Sequence, residues 1–377
     1  MFGDGLSQDF SSELAALGVS NALVISDATL TKKGLLGPVV DGIRNGGVQV
    51  IGPFTDVPAN SSLKVVQQVA ELAIKKGADG IIAFGGGSVL DTAKAANILI
   101  THGGDLVNDY SGAQTIPGPL KPLIAIPTTA GTGSEVTQAA VILDTDKGTK
   151  ISFYDQYLHP NIAILDPELL KFLPAELIAA TGWDAFTHAV EAYTSLQSNP
   201  FSDELALPAV RLIKEAFIPA VTEPQNLKAK GQMLLAATLA GIAFDQAMVG
   251  VVHSMAHAVG GVSRAHHGTL NFILLPYGME YNMPVCYEKY AVLARVLHVS
   301  PKFKTTKKLA GQAVKVIRKW QKKLHKVCGL PLRLRDVGVA KTDLEKIAKK
   351  ACEDGTSFYN PRELEEKEIL KTLQRAW

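Results

Sequence analysis

The sequence predicts two folds in succession, an α/β domain on a mainly parallel sheet and then an all-helical domain. Three observations carry this. In the first half, short β-rich runs alternate with amphipathic helical stretches, the pattern of a sheet with helices on both faces. Beyond about Pro174 the strand-like runs almost vanish and long helical stretches take over. The chain's 377 residues, 47% of them hydrophobic, are enough for two domains and a large core. The boundary falls near Pro167 and Pro174, giving an α/β domain over 1–174 and a helical domain over 175–377.

The run 22–26 (ALVIS) is the first strand, followed by Asp27 and a helical stretch ending near Gly46 and Gly47. The run 48–54 is the second strand. Over 62–76, Leu63, Val66, Val69, Ala70, Ala73 and Ile74 recur at helical spacing, and Gly77 is placed to end that helix. The run 80–84 (GIIAF) is a third strand, buried by its composition, and 123–126 (LIAI) is another. Runs at 136–143, 150–154 and 162–165 add further strands. The helical half follows at 175–194, 203–221, 227–244, 249–259, 287–297, 306–327, 341–351 and 363–375.

Charge and composition narrow the partners. Lys and Arg number 38 against 36 Asp and Glu, a balance that argues against a polyanionic partner. The lysine-rich stretch holds Lys302, Lys304, Lys307, Lys308, Lys315, Lys319, Lys322, Lys323 and Lys326. It reads as a solvated helix face, because Leu309, Ala313, Val316, Ile317, Trp320 and Leu324 make the opposite, buried face. No nucleic-acid partner is expected. Cys286, Cys328 and Cys352 lie far apart with no CxxC, which fits a reducing compartment. The opening MFGDGLSQDF has neither the basic nor the apolar region of a signal peptide. The apolar run 233–252 is interrupted by Asp245 and Gln246 and reads as a buried helix, not a membrane span. A cytoplasmic protein with no membrane partner is the expectation.

Four motifs bear on chemistry. Gly85, Gly86, Gly87 and Ser88 join the third strand to a helix over 89–100. Glycines at such a turn let backbone N–H groups approach a pyrophosphate, and the helix dipole favours the anion. A plain tight turn gives the same letters. The loop 127–135 (PTTAGTGSE) also follows a buried strand, and its hydroxyls and amides suit phosphate and amide groups of a ligand. Both loops lie on the C-terminal edge of the sheet, where open α/β sheets bind ligands. Asp27 follows the first strand. It can accept both hydroxyls of an adenosine ribose, favouring NAD over NADP, or cap a turn before Thr29. Lys32 and Lys33 leave NADP open.

The fourth motif is the histidine set. Asp184 and His188 stand four residues apart on a predicted buried helix, and His253 and His257 repeat the spacing on another. His266 and His267 follow in a predicted loop before Gly268. Asp184, His188, His253 and His267 together give one carboxylate and three imidazoles, a set suited to Fe²⁺, Zn²⁺ or a related divalent ion. His257, one turn beyond His253, reads either as a ligand or as a proton carrier. His266 reads as structural, and His102, His159, His298 and His325 have no companions.

With these residues in order, the chain resembles the iron-containing (group III) alcohol dehydrogenases over nearly its whole length. The likeness rests on Phe2–Gly5, Asp27, GGGSVLDTAKA from Gly85, PTTAGTGSEVT from Pro127, Lys150, GWDAFTHAVEAYTS from Gly182, HSMAH from His253, HHG from His266, Leu274–Pro276 and Asn360–Arg362. The resemblance implies a dehydroquinate synthase-like fold, with a Rossmann-like dinucleotide-binding domain and a helical metal-binding domain. It implies Asp184, His188, His253 and His267 as metal ligands and His257 beside nicotinamide and substrate. It implies Gly86, Gly87, Ser88, Asp91, Thr128, Thr129, Thr132 and Lys150 as cofactor contacts, and Asp27 as the carboxylate of NAD-preferring members. The implied activity is metal-dependent, NAD(P)-linked oxidation of small primary alcohols or reduction of aldehydes. Fe²⁺ is the first metal and Zn²⁺ the alternative, in a homodimer or higher homo-oligomer. A hydroxyacid–oxoacid transhydrogenase, a lyase of the dehydroquinate synthase type, and a non-catalytic binding protein are the other readings. Departures at Trp183, Phe186, Asp245-Gln246 and 263–266 are expected around the substrate site.

Overall fold

The computed structural model describes residues 1–263, 265–300 and 305–377, so Arg264, Lys302 and Lys304 lie outside the described residues. The chain divides into two compact units. One is Met1–Thr129 with Gly133–Phe172, the other Ala130–Thr132 with Leu173–Trp377.

The strands of the first unit are β1 (Asn21–Ile25), β2 (Gln49–Phe54), β3 (Gly80–Gly85), β4 (Gly112–Ala113), β5 (Leu123–Pro127), β6 (Ala139–Asp144), β7 (Thr149–Tyr154) and β8 (Ile162–Ala163). Five of them form a parallel sheet in the order β2-β1-β3-β5-β8. The helices are α1 (Ser11–Ala16), α2 (Ala28–Lys32), α3 (Leu36–Asn45), α4 (Leu63–Lys76), α5 (Gly87–His102) and α6 (Leu106–Tyr110). Every residue of β3 is buried, as a central parallel strand covered on both faces requires. α4 ends on Gly77 at φ +68°, a left-handed cap that glycine adopts without strain.

The runs predicted at 136–143 and 150–154 do not join this sheet. β6 and β7 pair antiparallel, with β4 on the other side of β7, in a separate three-stranded sheet. Their connection, capped by the Asp144 carboxylate accepting from the Asp146 and Lys147 N–H groups, is too short for a parallel crossover.

The second unit holds α7 (Ala175–Thr194), α8 (Pro200–Thr222), α9 (Leu227–Ala247), α10 (Val251–Gly260), α11 (His267–Asn282), α12 (Tyr287–Val296), α13 (Thr306–Cys328), α14 (Leu344–Glu353) and α15 (Glu366–Ala376). α7 is buried on all sides from Ile178 to Thr194 and is the unit's central helix. The sequence reading left 267–282 without a helix. α11 is buried almost all round, so it has no amphipathic period to read, and Pro276 stands inside it. Proline lacks an N–H, which frees the Phe272 carbonyl one turn earlier. The Gln321 side-chain amide of α13 donates to that carbonyl.

The helices predicted at 227–244 and 249–259 are α9 and α10, and Met248 at φ +63° separates them, so the apolar run 233–252 is not one continuous helix. The two meet at 100°, and no single helix among the described residues is long and apolar enough to cross a membrane. Trp183 and Phe186, expected near the substrate, are core residues instead. Trp183 is fully buried with its ring against Phe186, Phe217 and Phe272. On α13 the buried face includes Leu309, Ala313, Ile317 and Leu324, while Lys315, Lys319, Lys322, Lys323 and Lys326 are exposed.

Candidate metal centre

α7 brings Asp184 and His188 to one face of the central helix. α10 brings His253, and α11 brings His267 as its first residue. His267 therefore sits on a helix, not on the predicted loop. Three imidazole Nε2 atoms converge on Asp184 Oδ1, at 3.9 Å from His188, 3.9 Å from His253 and 3.5 Å from His267. The donor atoms of Asp184, His188 and His253 all lie within 4.8 Å of one another. Asp184, His188 and His253 are buried, and His267 is partly open, with 27% of its side chain exposed.

One glycine makes this convergence possible. A Cβ on Gly268 would collide with the Ala180 carbonyl of α7 and lie 3.4 Å from Asp184 Cβ. Only glycine lets the start of α11 approach α7 closely enough for His267 to reach Asp184. Opposite, Phe244 stacks on the His188 ring at 4.3 Å, and His188 stacks on His253 at 4.7 Å, which fixes both ring planes.

The sequence reading missed three partners. Glu191, one turn beyond His188 on α7, accepts a hydrogen bond from His253 Nδ1 at 2.6 Å and another from the Val252 N–H at 2.7 Å. It thereby caps the start of α10 and leaves His253 Nε2 to face the other donors. Asn271, one turn beyond His267, donates to Asp184 Oδ1 at 2.7 Å. Asp354 holds His257 Nδ1 at 3.0 Å. The i, i+3 and i, i+4 spacings of Glu191 and Asn271 from candidate ligands were signals in the sequence. Asp354 lies too far along the chain to have given one.

Burial works against the Asp184 carboxylate, but His188, His267, His253 and the Asn271 amide outweigh it and hold the group ionised, below the usual carboxylate range. Burial pushes His188 down to about 4, with Asp184 opposing the shift, so its ring is neutral near pH 7. Burial also acts on His253, but the Glu191 hydrogen bond and charge reverse it and raise that ring. Among the described residues, no Lys or Arg pairs with Asp184. A buried carboxylate facing three imidazole nitrogens, without a basic side chain to balance it, fits a divalent cation.

His257 makes no bond to Asp184. Its ring stacks on His267 at 5.4 Å and is 34% exposed. His266 caps α11 by accepting from the Gly268 N–H. His102 and His325 bond backbone carbonyls of Gly118 and Leu330.

The candidate nucleotide edge lies in the first unit. The order β2-β1-β3 reverses between β1 and β3, the switch point beside which open α/β sheets bind ligands. Asp27 follows β1, and Gly86, Gly87 and Ser88 follow β3. The Ser26 hydroxyl donates to the Phe84 carbonyl at 2.9 Å and ties the two strand ends together. Gly86 caps α5 and supplies no side-chain cap to its first-turn amides. Gly85 serves packing, since a Cβ there would come 2.5 Å from Val89 Cγ2. Asp27 caps α2, with both N–H bonds, from Thr29 and Leu30, going to Oδ1. The Thr128 N–H donates to the Gly85 carbonyl, and the Thr129 side chain lies beside Gly86. Ser88 Oγ accepts from the Asn60 N–H.

Asp91 braces α5, accepting from Ser134 Oγ at 2.7 Å and the Val141 N–H at 3.1 Å. Burial raises its carboxyl, against the charges of Lys94 and Lys150. Lys150 is exposed on β7, and Thr132 falls in the second unit.

Two family models match the chain, iron-containing alcohol dehydrogenase over residues 1–167 and the C-terminal part of the Fe-containing alcohol dehydrogenase family over 178–377. A 1,3-propanediol dehydrogenase of Citrobacter freundii is 39% identical over 363 residues, covering 96% of this chain and 92% of that protein. An NAD-dependent methanol dehydrogenase of Bacillus methanolicus is 34% identical over 376 residues, covering 100% of this chain and 97% of that one. The crystal structure of a 1,3-propanediol oxidoreductase superposes with a TM-score of 0.96 at 37% identity, over 100% of this chain and 97% of that chain. By its sequence and by its fold, the chain belongs to the iron-containing alcohol dehydrogenase family.

Proposed function

We propose that this protein is a metal-dependent, NAD-linked alcohol dehydrogenase or aldehyde reductase acting on small primary alcohols or aldehydes. The convergence of Asp184, His188, His253 and His267 carries the reading. Those four residues would hold a divalent cation, which would supply Lewis acidity toward the substrate oxygen, and the nucleotide edge would hold a nicotinamide cofactor for hydride exchange. Iron is the first metal proposed and zinc the alternative.

The chain's own residues do the rest. Glu191 holds the His253 ring with Nε2 toward the other donors. Asp354 holds His257 by Nδ1, which leaves Nε2 to exchange the hydroxyl proton of the substrate. The partial exposure of His257 gives that proton a route to water. The uncapped first turn of α5 suits a pyrophosphate, with Gly86, Gly87, Ser88, Thr128 and Thr129 around it. Asp91, Thr132 and Lys150 belong to the proposed cofactor set. Asp27 Oδ2, unused in the cap, is the proposed acceptor for ribose hydroxyls, which favours NAD over NADP. Three free, widely spaced cysteines fit a cytoplasmic enzyme, and the family likeness supports a homodimer or higher homo-oligomer.

The test is reconstitution with Fe²⁺ or Zn²⁺, followed by assay of short-chain alcohols, diols and aldehydes with NAD(H) and NADP(H). Asp184→Ala and His267→Ala are expected to lose metal and activity together. Retention of both by either variant overturns the ligand assignment. Full metal loading without turnover on any of these substrates overturns the enzyme reading.

A further inference from the structure

The side chain of Asn271 lies among the metal donors without belonging to the proposed ligand set. It is fully buried. Its Nδ2 is 2.7 Å from Asp184 Oδ1, 3.2 Å from His253 Nε2 and 3.1 Å from His267 Nε2. Its Oδ1 is buried and has no hydrogen-bond partner among the described residues. A primary amide carries two N–H donors on that nitrogen. One meets the carboxylate, and the other lies between the two imidazole nitrogens. The orientation is chemically determined, because the flipped amide would set its oxygen against the carboxylate. The orphaned oxygen is the cost of keeping the nitrogen toward the donors, since a buried unpaired carbonyl is destabilising.

Removing a cation from this site leaves a buried carboxylate and inward-pointing imidazole lone pairs. Each of these needs positive charge or a proton donor. We propose that Asn271 is a positioning residue that stands in for the cation in the metal-free protein. Its amide neutralises part of the Asp184 field and holds the His253 and His267 rings with Nε2 inward. The donor set is thereby kept in place for the ion instead of collapsing. When the ion is bound, the amide gives up its two imidazole contacts and keeps the Asp184 hydrogen bond, which orients the carboxylate. Asn271 therefore matters more to the metal-free protein than to the loaded one. The placement follows from the helix, since Asn271 stands one turn after His267 on the face that Gly268 brings against α7.

This inference rests on the metal-centre reading above, and the experiment separates the two. Thermal midpoints of the chelated and Fe²⁺- or Zn²⁺-loaded full chain are measured at pH about 8.5, where ordinary imidazoles are neutral. They are compared for the native sequence, Asn271→Ala and Asn271→Leu. The leucine variant keeps volume while removing the donors, and so separates a packing loss from a lost amide. The expected result is a midpoint several degrees lower for both metal-free variants, with a smaller fall in the loaded forms. The metal-induced rise is then larger in the variants than in the native chain, and metal affinity by chelator competition is higher by severalfold. Equal falls in both forms make Asn271 an ordinary packing residue and overturn the inference. A larger fall in the loaded form also overturns it, since Asn271 then serves the bound state. A native chain that takes up no divalent metal overturns the metal centre itself.

Discussion

At the scale of single residues, the histidines of α10 divide by the carboxylate each one meets. His253 is buried against Glu191, with its other nitrogen directed at Asp184. His257 is one turn on, partly exposed, and bound to Asp354. The same residue type at the same helical face thus has a dry, fixed environment in one case and a wet one in the other. His257→Gln is expected to lower kcat by roughly the 10²–10⁴ that a positioned acid–base group contributes, with metal content unchanged. Metal analysis beside steady-state kinetics checks this, and loss of metal in the variant would make His257 a ligand. The sequence allowed both roles, because i, i+4 spacing puts two side chains on one face without saying what faces them. Asp184, His188 and His253 were legible as residue types in i, i+4 pairs, and His267 as a histidine following the second pair. Glu191 and Asn271 carried the same spacing but passed unread, as neither belongs to a histidine pair.

At the scale of elements, the parallel sheet was legible because its strands are short, apolar and punctuated by glycine, and α7 because it is long, free of internal proline and carries Asp184 and His188 at helical spacing. The antiparallel placement of β6 and β7 was not, because alternation gives strand character but not partner. α11 was invisible for the opposite reason, since burial on every face erases the periodicity on which helix reading depends. Yet α11 sets the geometry of the site, through Gly268. Gly268→Ala places a methyl group on the Ala180 carbonyl, and backbone on both sides leaves no flexible side chain to yield. α11 must shift, carrying His267 and Asn271 away from Asp184. The expected outcome is a lower thermal midpoint, from overpacking worth about 1–3 kcal/mol, together with reduced metal occupancy. Gly260→Ala on α10 is the control, because its nearest neighbour would be Leu270 Cδ1 at an ordinary 3.8 Å. Undiminished metal binding in Gly268→Ala would show that the close approach of α11 to α7 does not set the site.

At the scale of the whole molecule, the metal centre ties stability to pH, and the sign follows from which donor takes a proton first. Asp184 is held ionised and His188, pushed down to about 4, is neutral, so neither titrates near neutrality. For His253, Glu191 overcomes burial and raises the ring above the ordinary imidazole value, so it holds a proton to higher pH than a free imidazole. A ring raised in the folded state adds stability that is complete below the unfolded value, about 6.5, and is lost as pH rises through the folded value. In the metal-free protein that proton on His253 competes with the ion, which needs Nε2 deprotonated. Stabilisation by metal is therefore smallest below about pH 6.5 and grows as pH rises above it. The measurement is the difference in thermal midpoint between loaded and chelated protein across that window, for the native chain and for Glu191→Gln. The native difference is expected to widen with pH. The variant, lacking the charge that raises His253, is expected to reach its plateau at lower pH. A native difference that stays flat or narrows with rising pH would mean that a group other than His253 controls access of the ion to this site.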